Sequence, residues 1–586
     1  MSRIRNAYLL SLSFALLCAV KLLHHIAIDY ERRVPSQLSA DALQDFSWEK
    51  LPPSRRLEWQ DCYPDRQCAR LVVPLNYCEP NGREAIIAVV RKPSKYEEGS
   101  PLYRGPVLFN PGGPGGSGVD MIRGGSGDSF STILGPQFDI VGFDPRGISR
   151  SLPRASFFKT DVERALWGQT VGVVNTTEEG VARTWARFKV LGDLAAETDD
   201  GYLRHINTDN TARDMLSIVR AHGREKIQYW GFSGLLVSYG TVLGATFASM
   251  FPDNIERFVI DGVVDSENYY ATLWSNNLLD TDKAFDTFLT GCAEAGPEGC
   301  KFWAPTPDDI RQNLTALFDS VRARPVPVRT KNNYGVLDYI TLKFTVLAAL
   351  YSPYANFQLL AQGLAELAAG NVADVYERAT SPPFECSCGS SDEHQFENVR
   401  DGQTTISCND GDDVPGELES AQEYFEMLTG KSNWGDVWAR IRFACVGWPK
   451  FPKNHFQGPF EANTSHPILL IGNTADPVTP LWAAKKMARG FNNSVVLTQN
   501  SAGHCSISAP SPCTQSYIRQ YFLDGTLPEQ GTVCEPIGSP FDPKAESVLD
   551  RSDAVQQVLA GMTEEEKELY NAAYDLSVNP IVPVLL

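Results

Sequence analysis

Eight short apolar runs, rich in β-branched residues, set the frame for this chain: LVVPL (71–75), AIIAVV (85–90), PVLFN (106–110), FDIVGFD (138–144), IQYWGF (227–232), RFVID (257–261), PILLIG (467–472) and SVVLT (494–498). Each has the length and composition of a strand buried on both faces. Helical spacing lies between most of them, as in NTARDMLSIVRAHG (210–223), which ends on a glycine stop. Strands alternating with helices predict an α/β architecture, a mostly parallel sheet covered on both faces. No helix fits between the first two runs, so they are expected to form an antiparallel edge hairpin. The rhythm stops from about Ser266 to Trp448, where helical pieces such as DDIRQNLTALFDSVRA and NFQLLAQGLAELAAG dominate. The expected organisation is a signal peptide or anchor over 1–30, a core over 45–265 and a helical, Cys-containing lid over 266–448. The core returns over 449–535, and a helical tail follows over 536–586, its one expected helix in TEEEKELYNAAYDL.

The N-terminus places Arg3 and Arg5 before an apolar run from Ala7 to Val20. That is the pattern of a secretory signal, with an uncleaved membrane anchor as the alternative. Cysteine usage agrees with export. Beyond Cys18, twelve remain: Cys62, Cys68, Cys78, Cys292, Cys300, Cys386, Cys388, Cys408, Cys445, Cys505, Cys513 and Cys534. An even set in an exported chain predicts disulfides. Cys62–Cys68, Cys292–Cys300 and Cys505–Cys513 are close enough in sequence to be local pairs. CSC at 386–388 lacks the spacer and histidines of a zinc site, so no metal is expected. Sequons at Asn175, Asn313, Asn463 and Asn492 are compatible with glycosylation. A formal net charge of −19 repels phosphate backbones and argues against nucleic-acid binding.

The chemistry concentrates in three places. GPVLFNPGGPGGSG (105–118) ends a strand in a glycine-rich loop, whose N–H groups suit an oxyanion hole. In YWGFSGLLVSYGTVLG (229–244), two serines each hold half of a G-x-S-x-G nucleophile turn: Ser233 has Gly231 before it, and Ser238 has Gly240 after it. Excising Gly234–Ser238, or equally Ser233–Val237, leaves the complete turn G-F-S-Y-G, so the motif reads as split by five inserted residues. Five residues span about 16 Å of extended chain, so either the strand slides or a bulge forms. Ser238 is favoured because SYGT stays contiguous with the following helix, whose N-terminus helps an oxyanion. Ser233 stays a rival. Asp476 in GNTADPVTP and His504 in NSAGHCS lie just beyond strand ends, in the order Ser, Asp, His.

NPGGPGGSG, GFDPRGISRS, YWGFS…YGTVLGATFASMFPD, FVIDGVVD, GNTADPVTP and AGHCS together resemble the tripeptidyl-aminopeptidase-like branch of the proline-iminopeptidase family, from about Trp48 to Cys534. The resemblance implies an α/β-hydrolase fold, a mostly parallel sheet flanked by helices with an inserted helical lid and a TAP-like C-terminal segment. It implies a secreted serine exopeptidase acting on peptides with a free N-terminus through an acyl-enzyme. Asp476 and His504 carry over as triad members and Gly113 as an oxyanion donor. The second donor would be the N–H after the nucleophile, from Tyr239 or Gly234. Ser149 stands where the family's DPRGxGxS pattern has its second glycine, which predicts a strained turn.

A free α-amino group needs carboxylates nearby, and Asp265, Glu267 and Glu385 are the candidates. No metal or organic cofactor is implied. A membrane enters only through an N-terminal anchor. Two other functions stay open on the sequence: an esterase or amidase on small substrates with the same triad, and an inert hydrolase fold kept for binding, which the interrupted turn motivates.

Overall fold

The computed structural model describes residues 46–169, 179–234, 238–331, 333–380, 398–543 and 551–580. The N-terminal signal or anchor, Asn175, Glu385, Cys386 and Cys388 lie outside them. Among the described residues, no helix is long and apolar enough to cross a membrane.

Ten strands form one sheet: β1 (Gln60–Asp61), β2 (Gln67–Pro74), β3 (Glu84–Lys92), β4 (Gly105–Gly112), β5 (Phe138–Phe143), β6 (Ile227–Gly234), β7 (Ile255–Asp261), then β10 (Leu469–Ala475), β11 (Val495–Ala502) and β12 (Val533–Cys534). β8 (Val326–Arg329) and β9 (Tyr334–Leu337) pair only with each other. The order across the large sheet is β1-β2-β3-β5-β4-β6-β7-β10-β11-β12. β1, β2 and β3 are antiparallel, and β3 meets β5 antiparallel. From β5 onward every pair is parallel. All eight expected strands are present, including the antiparallel β2–β3 pair.

Every residue of β4 and β5 is buried, because helices cover both faces. The pleat sends alternate side chains to two cores. Leu108, Val141, Tyr229, Ile260 and Leu470 enter one; Val107, Phe109, Trp230, Phe232 and Ile471 enter the other. Four helices matter for the site: α1 (Thr208–Ala221), α2 (Gly240–Met250), α3 (Tyr339–Tyr351) and α4 (Val399–Asp410). α1 starts two residues before the expected segment because the Asn207 side chain accepts from Asn210 N–H as its cap.

Between β7 and β10 the chain leaves the sheet. The described part of this stretch carries the expected helices and, besides connecting loops, the β8–β9 hairpin, which helical spacing did not foresee. Among its described residues the tail holds two helices, Asp553–Ala560 and Glu564–Val578, rather than one. The second is no appendage: Leu569, Ala572 and Leu576 are buried in the same core as Trp230.

Cys62–Cys68 and Cys292–Cys300 are disulfides, as expected from spacing. The third local pair is corrected: Cys513 bonds Cys534, and Cys505 is a buried free thiol. The short helical turn Ser506–Ser508 intervenes between the two, and β12 delivers Cys534 to the helix carrying Cys513. Cys408–Cys445 is a fourth disulfide, and Cys78 is free and exposed.

Candidate active site

β6 and α2 meet at Ser238. Its φ is +78°, a left-handed conformation that costs a non-glycine residue on the order of 1–3 kcal/mol and clusters at functional sites. The turn is tight because backbones touch. A Cβ on Gly240 would stand 2.2 Å from the Phe232 carbonyl oxygen and 2.9 Å from that of Asn110. One on Gly112, at φ +89°, would stand 2.5 Å from the same Phe232 oxygen. Glycine at these two positions lets the loop after β4 lie against the start of α2. Gly113 follows in that loop at φ +116°, and Tyr239 is the N-terminal cap residue of α2. The expected donors Gly113 and Tyr239 therefore flank one junction.

The five-residue interruption is taken up partly as a bulge. Asn110 pairs with Gly231 and Gly112 with Gly234, so β6 takes three steps where β4 takes two. Ser233 and Gly234 thereby stay within β6. The Ser233 hydroxyl lies 2.7 Å from Thr241 Oγ1, beneath the turn. This corrects the rival assignment, and with it Gly234 as donor: of the two serines, Ser238 faces the histidine.

Ser238 Oγ lies 3.2 Å from His504 Nε2. His504 Nδ1 lies 3.1 Å from Asp476 Oδ1 and 3.0 Å from Oδ2. Asp476 is fully buried yet well supplied with donors. Its Oδ1 accepts from Val478 N–H at 2.9 Å and Thr479 N–H at 2.8 Å. Its Oδ2 accepts from the Thr479 hydroxyl at 2.6 Å and Cys505 N–H at 3.1 Å. Burial alone would raise its pKa. The His504 charge and hydrogen bond, with the Thr479 and Val478 donors, outweigh burial and hold the carboxyl below its ordinary value. Such a line can move a proton from the hydroxyl to Nε2 while the carboxylate fixes the tautomer.

Three supporting residues were not visible in the sequence as site residues. Thr479 Oγ1, besides bonding Asp476, lies 3.1 Å from His504 Nδ1. DPVT did carry a signal for it, an Asp with a hydroxyl three positions on. Tyr351, the last residue of α3, accepts the His504 N–H on its carbonyl at 2.8 Å. Its ring stands edge-on to the imidazole, centroids 5.2 Å apart. Asp261, at the end of β7, accepts from Ser506 N–H at 2.8 Å and Ser506 Oγ–H at 2.5 Å, clamping the turn after His504. Burial, opposed by these bonds, by Trp230 and by the His504 charge, raises its pKa to about 6.

Two proposed substrate carboxylates are already engaged. Lys486 Nζ lies 2.6 Å from both Asp265 and Glu267, and Asp265 also caps a helix by accepting from Asn268 N–H. Both carboxylates therefore already share one ammonium, that of Lys486, which leaves the trio with a single net negative charge. Ser149 sits at φ +47°, the strained turn expected from its position. Asn313, Asn463 and Asn492 are exposed.

A parallel sheet whose strand ends bring a serine, a histidine and an aspartate together defines the class of serine hydrolases. Residues 105–364 match the family model of the alpha/beta hydrolase fold, and residues 431–534 that of the TAP-like protein. Serine protease Hip1 of Mycobacterium tuberculosis is 28% identical over 487 residues, covering 80% of this chain and 87% of that protein. Tripeptidyl aminopeptidase of Streptomyces coelicolor is 26% identical over 505 residues, covering 83% and 87%. Carboxylesterase B of Mycobacterium tuberculosis is 27% identical over 481 residues, covering 80% and 86%. The two matched stretches give the chain an α/β-hydrolase fold with a TAP-like C-terminal segment.

Proposed function

We propose that this chain is a serine exopeptidase that hydrolyses peptide bonds near a free N-terminus through an acyl-enzyme. Ser238 attacks the scissile carbonyl while His504 Nε2 takes its proton, and Asp476 holds the imidazole and stabilises its cation. The N–H groups of Tyr239 and Gly113 receive the oxyanion, helped by the N-terminus of α2. His504 then returns the proton to the leaving amine, and water, deprotonated by His504, releases the acyl group. The observation that carries this reading is the hydrogen-bonded line Ser238–His504–Asp476 at a strained turn.

Likeness to the tripeptidyl aminopeptidase and to the serine protease supports peptides as substrates and the free N-terminus as the point of entry. The inserted segment, touching His504 through Tyr351, supports a covered site that admits chain ends. The likeness to carboxylesterase B favours a second reading, esters of small alcohols, cleaved by the same three groups. The four disulfides among the described residues support an oxidising, secretory destination.

A fluorophosphonate probe should label the purified chain, lose its target in Ser238→Ala and keep it in Ser233→Ala. Peptides with free and acetylated N-termini, beside matched esters, then separate exopeptidase from endopeptidase and esterase. Labelling that survives Ser238→Ala would overturn the assignment.

A further inference from the structure

Arg440 begins the short helix Arg440–Phe443 inside the inserted segment. Its guanidinium stands over the Phe344 ring, 5.3 Å from the centroid. Phe344 and Tyr351 both belong to α3 and lie seven positions apart, which places them on one helix face. Two turns correspond to about 10 Å along the axis. Tyr351 is the residue that touches His504 by ring and carbonyl. The Arg440 charge also reaches the Tyr351 hydroxyl, which in turn senses Asp476. A cation therefore stands on the helix face that ends at the imidazole.

Sheltered cations such as Arg146, Arg150 and Lys343 meet an anion, Asp214 at 2.7 Å, Asp120 at 2.8 Å and Asp436 at 2.8 Å. Among the described residues, no carboxylate and no hydrogen-bond acceptor meets the half-buried Arg440 side chain. Withdrawing an unpaired charge from water costs folding free energy, and such groups gather at functional sites. Burial, with Arg400 as a like-charged neighbour, lowers its pKa to about 10, so it stays charged at neutral pH.

We propose that Arg440 is an anion subsite of the Ser238 site and takes a carboxylate of the substrate, held by charge-assisted hydrogen bonds from the guanidinium. The proposal rests on the reading that Ser238 attacks peptides, and it adds which peptides. Phe344, under the guanidinium, lies about 10 Å along α3 from Tyr351, and an extended peptide advances about 3.3 Å per residue, so the group Arg440 takes lies three residues or more from the scissile bond. Two sources supply that group: the C-terminal carboxylate of a short peptide, or an acidic side chain at that distance.

The test is calorimetric binding to the full chain carrying Ser238→Ala, which needs no turnover. Trialanine is compared with its C-terminal amide, and alanyl-alanyl-glutamyl amide with its glutaminyl analogue. The expected result is at least tenfold tighter binding of the carboxylate member in one pair or both, the pair identifying the source. Arg440→Met on the same background brings that ratio to within twofold, and Arg440→Lys retains part of it. Equal binding within both pairs, or a ratio that survives Arg440→Met, overturns the proposal. If the methionine variant fails to fold, Arg440→Gln takes its place under the same criterion, and equal binding within both pairs with Arg440 intact overturns the proposal by itself. Hydrolysis of unblocked peptides by the unsubstituted chain is read separately by mass spectrometry, so failure of the peptidase reading is distinguishable from failure of the subsite.

Discussion

Replacing Thr479 by valine keeps the side-chain shape and deletes one donor. Thr479 is fully buried, and its hydroxyl donates to Asp476 Oδ2 at 2.6 Å while lying 3.1 Å from His504 Nδ1. A hydrogen bond to a charged group contributes about 1.5–3 kcal/mol. If most of that loss falls on the imidazolium formed during attack, the rate falls by about tenfold to a hundredfold, at 1.36 kcal/mol per decade. Stability moves as well. The Asp476 carboxyl is held below its ordinary value, so it contributes stability above the unfolded value that is lost as pH falls through the folded one. Valine lets the folded value rise, which shrinks that contribution and moves acid unfolding to higher pH. The assay is the second-order rate of fluorophosphonate labelling between pH 5 and 9, beside acid denaturation followed by circular dichroism. Thr479→Ser, which restores the donor, should recover most of both. Labelling of Thr479→Val within twofold of the parent, with an unchanged acid midpoint, would refute the reasoning.

Gly112→Ala puts a Cβ 2.5 Å from the Phe232 carbonyl in a left-handed conformation, so melting temperature and labelling should fall together; a variant unaffected in both contradicts the close approach of loop and elbow. Asp261 has its folded pKa raised to about 6, so wild-type stability should fall as pH rises from about 4 through 6 as the buried group ionises. Asp261→Asn lacks that loss, and its stability relative to wild type should climb over the same window by up to about 3 kcal/mol; a flat difference in urea melts argues against the burial. Peptide mapping without reduction should recover Cys513 linked to Cys534, with Cys505 alkylated only after unfolding. Cys513→Ser should cost about 3 kcal/mol in denaturant unfolding, and a Cys505–Cys513 peptide would contradict the pairing.

The strands were legible because β4 to β7 and β10 are buried, and buried strands must be written in apolar, β-branched residues. Asp476 and His504 were legible because each follows a strand end in the required order. The choice of serine was not, since each kept one glycine of the motif and only the β4–β6 bulge shows how the surplus is distributed. The β8–β9 hairpin escaped because strands of four residues, one with a proline, carry too short a pattern. Cys505–Cys513 misled because proximity in sequence ignores the turn and helix that aim the two side chains apart. Asp265 and Glu267 misled because their partner Lys486 lies beyond the whole inserted segment, where only folding brings it near.

The peptide hydrogen bond from His504 to Tyr351 makes the base of the reaction hang from two parts of the chain at once. A cover hinged as one rigid plate would drag the imidazole with it each time it opened. Access must then come from movement elsewhere along the rim, with α3 staying put. A shortened chain lacking residues 266–448 would lose the Tyr351 carbonyl together with Phe288, Leu347 and Trp438, which share one core with Leu108 and Tyr229 of the sheet.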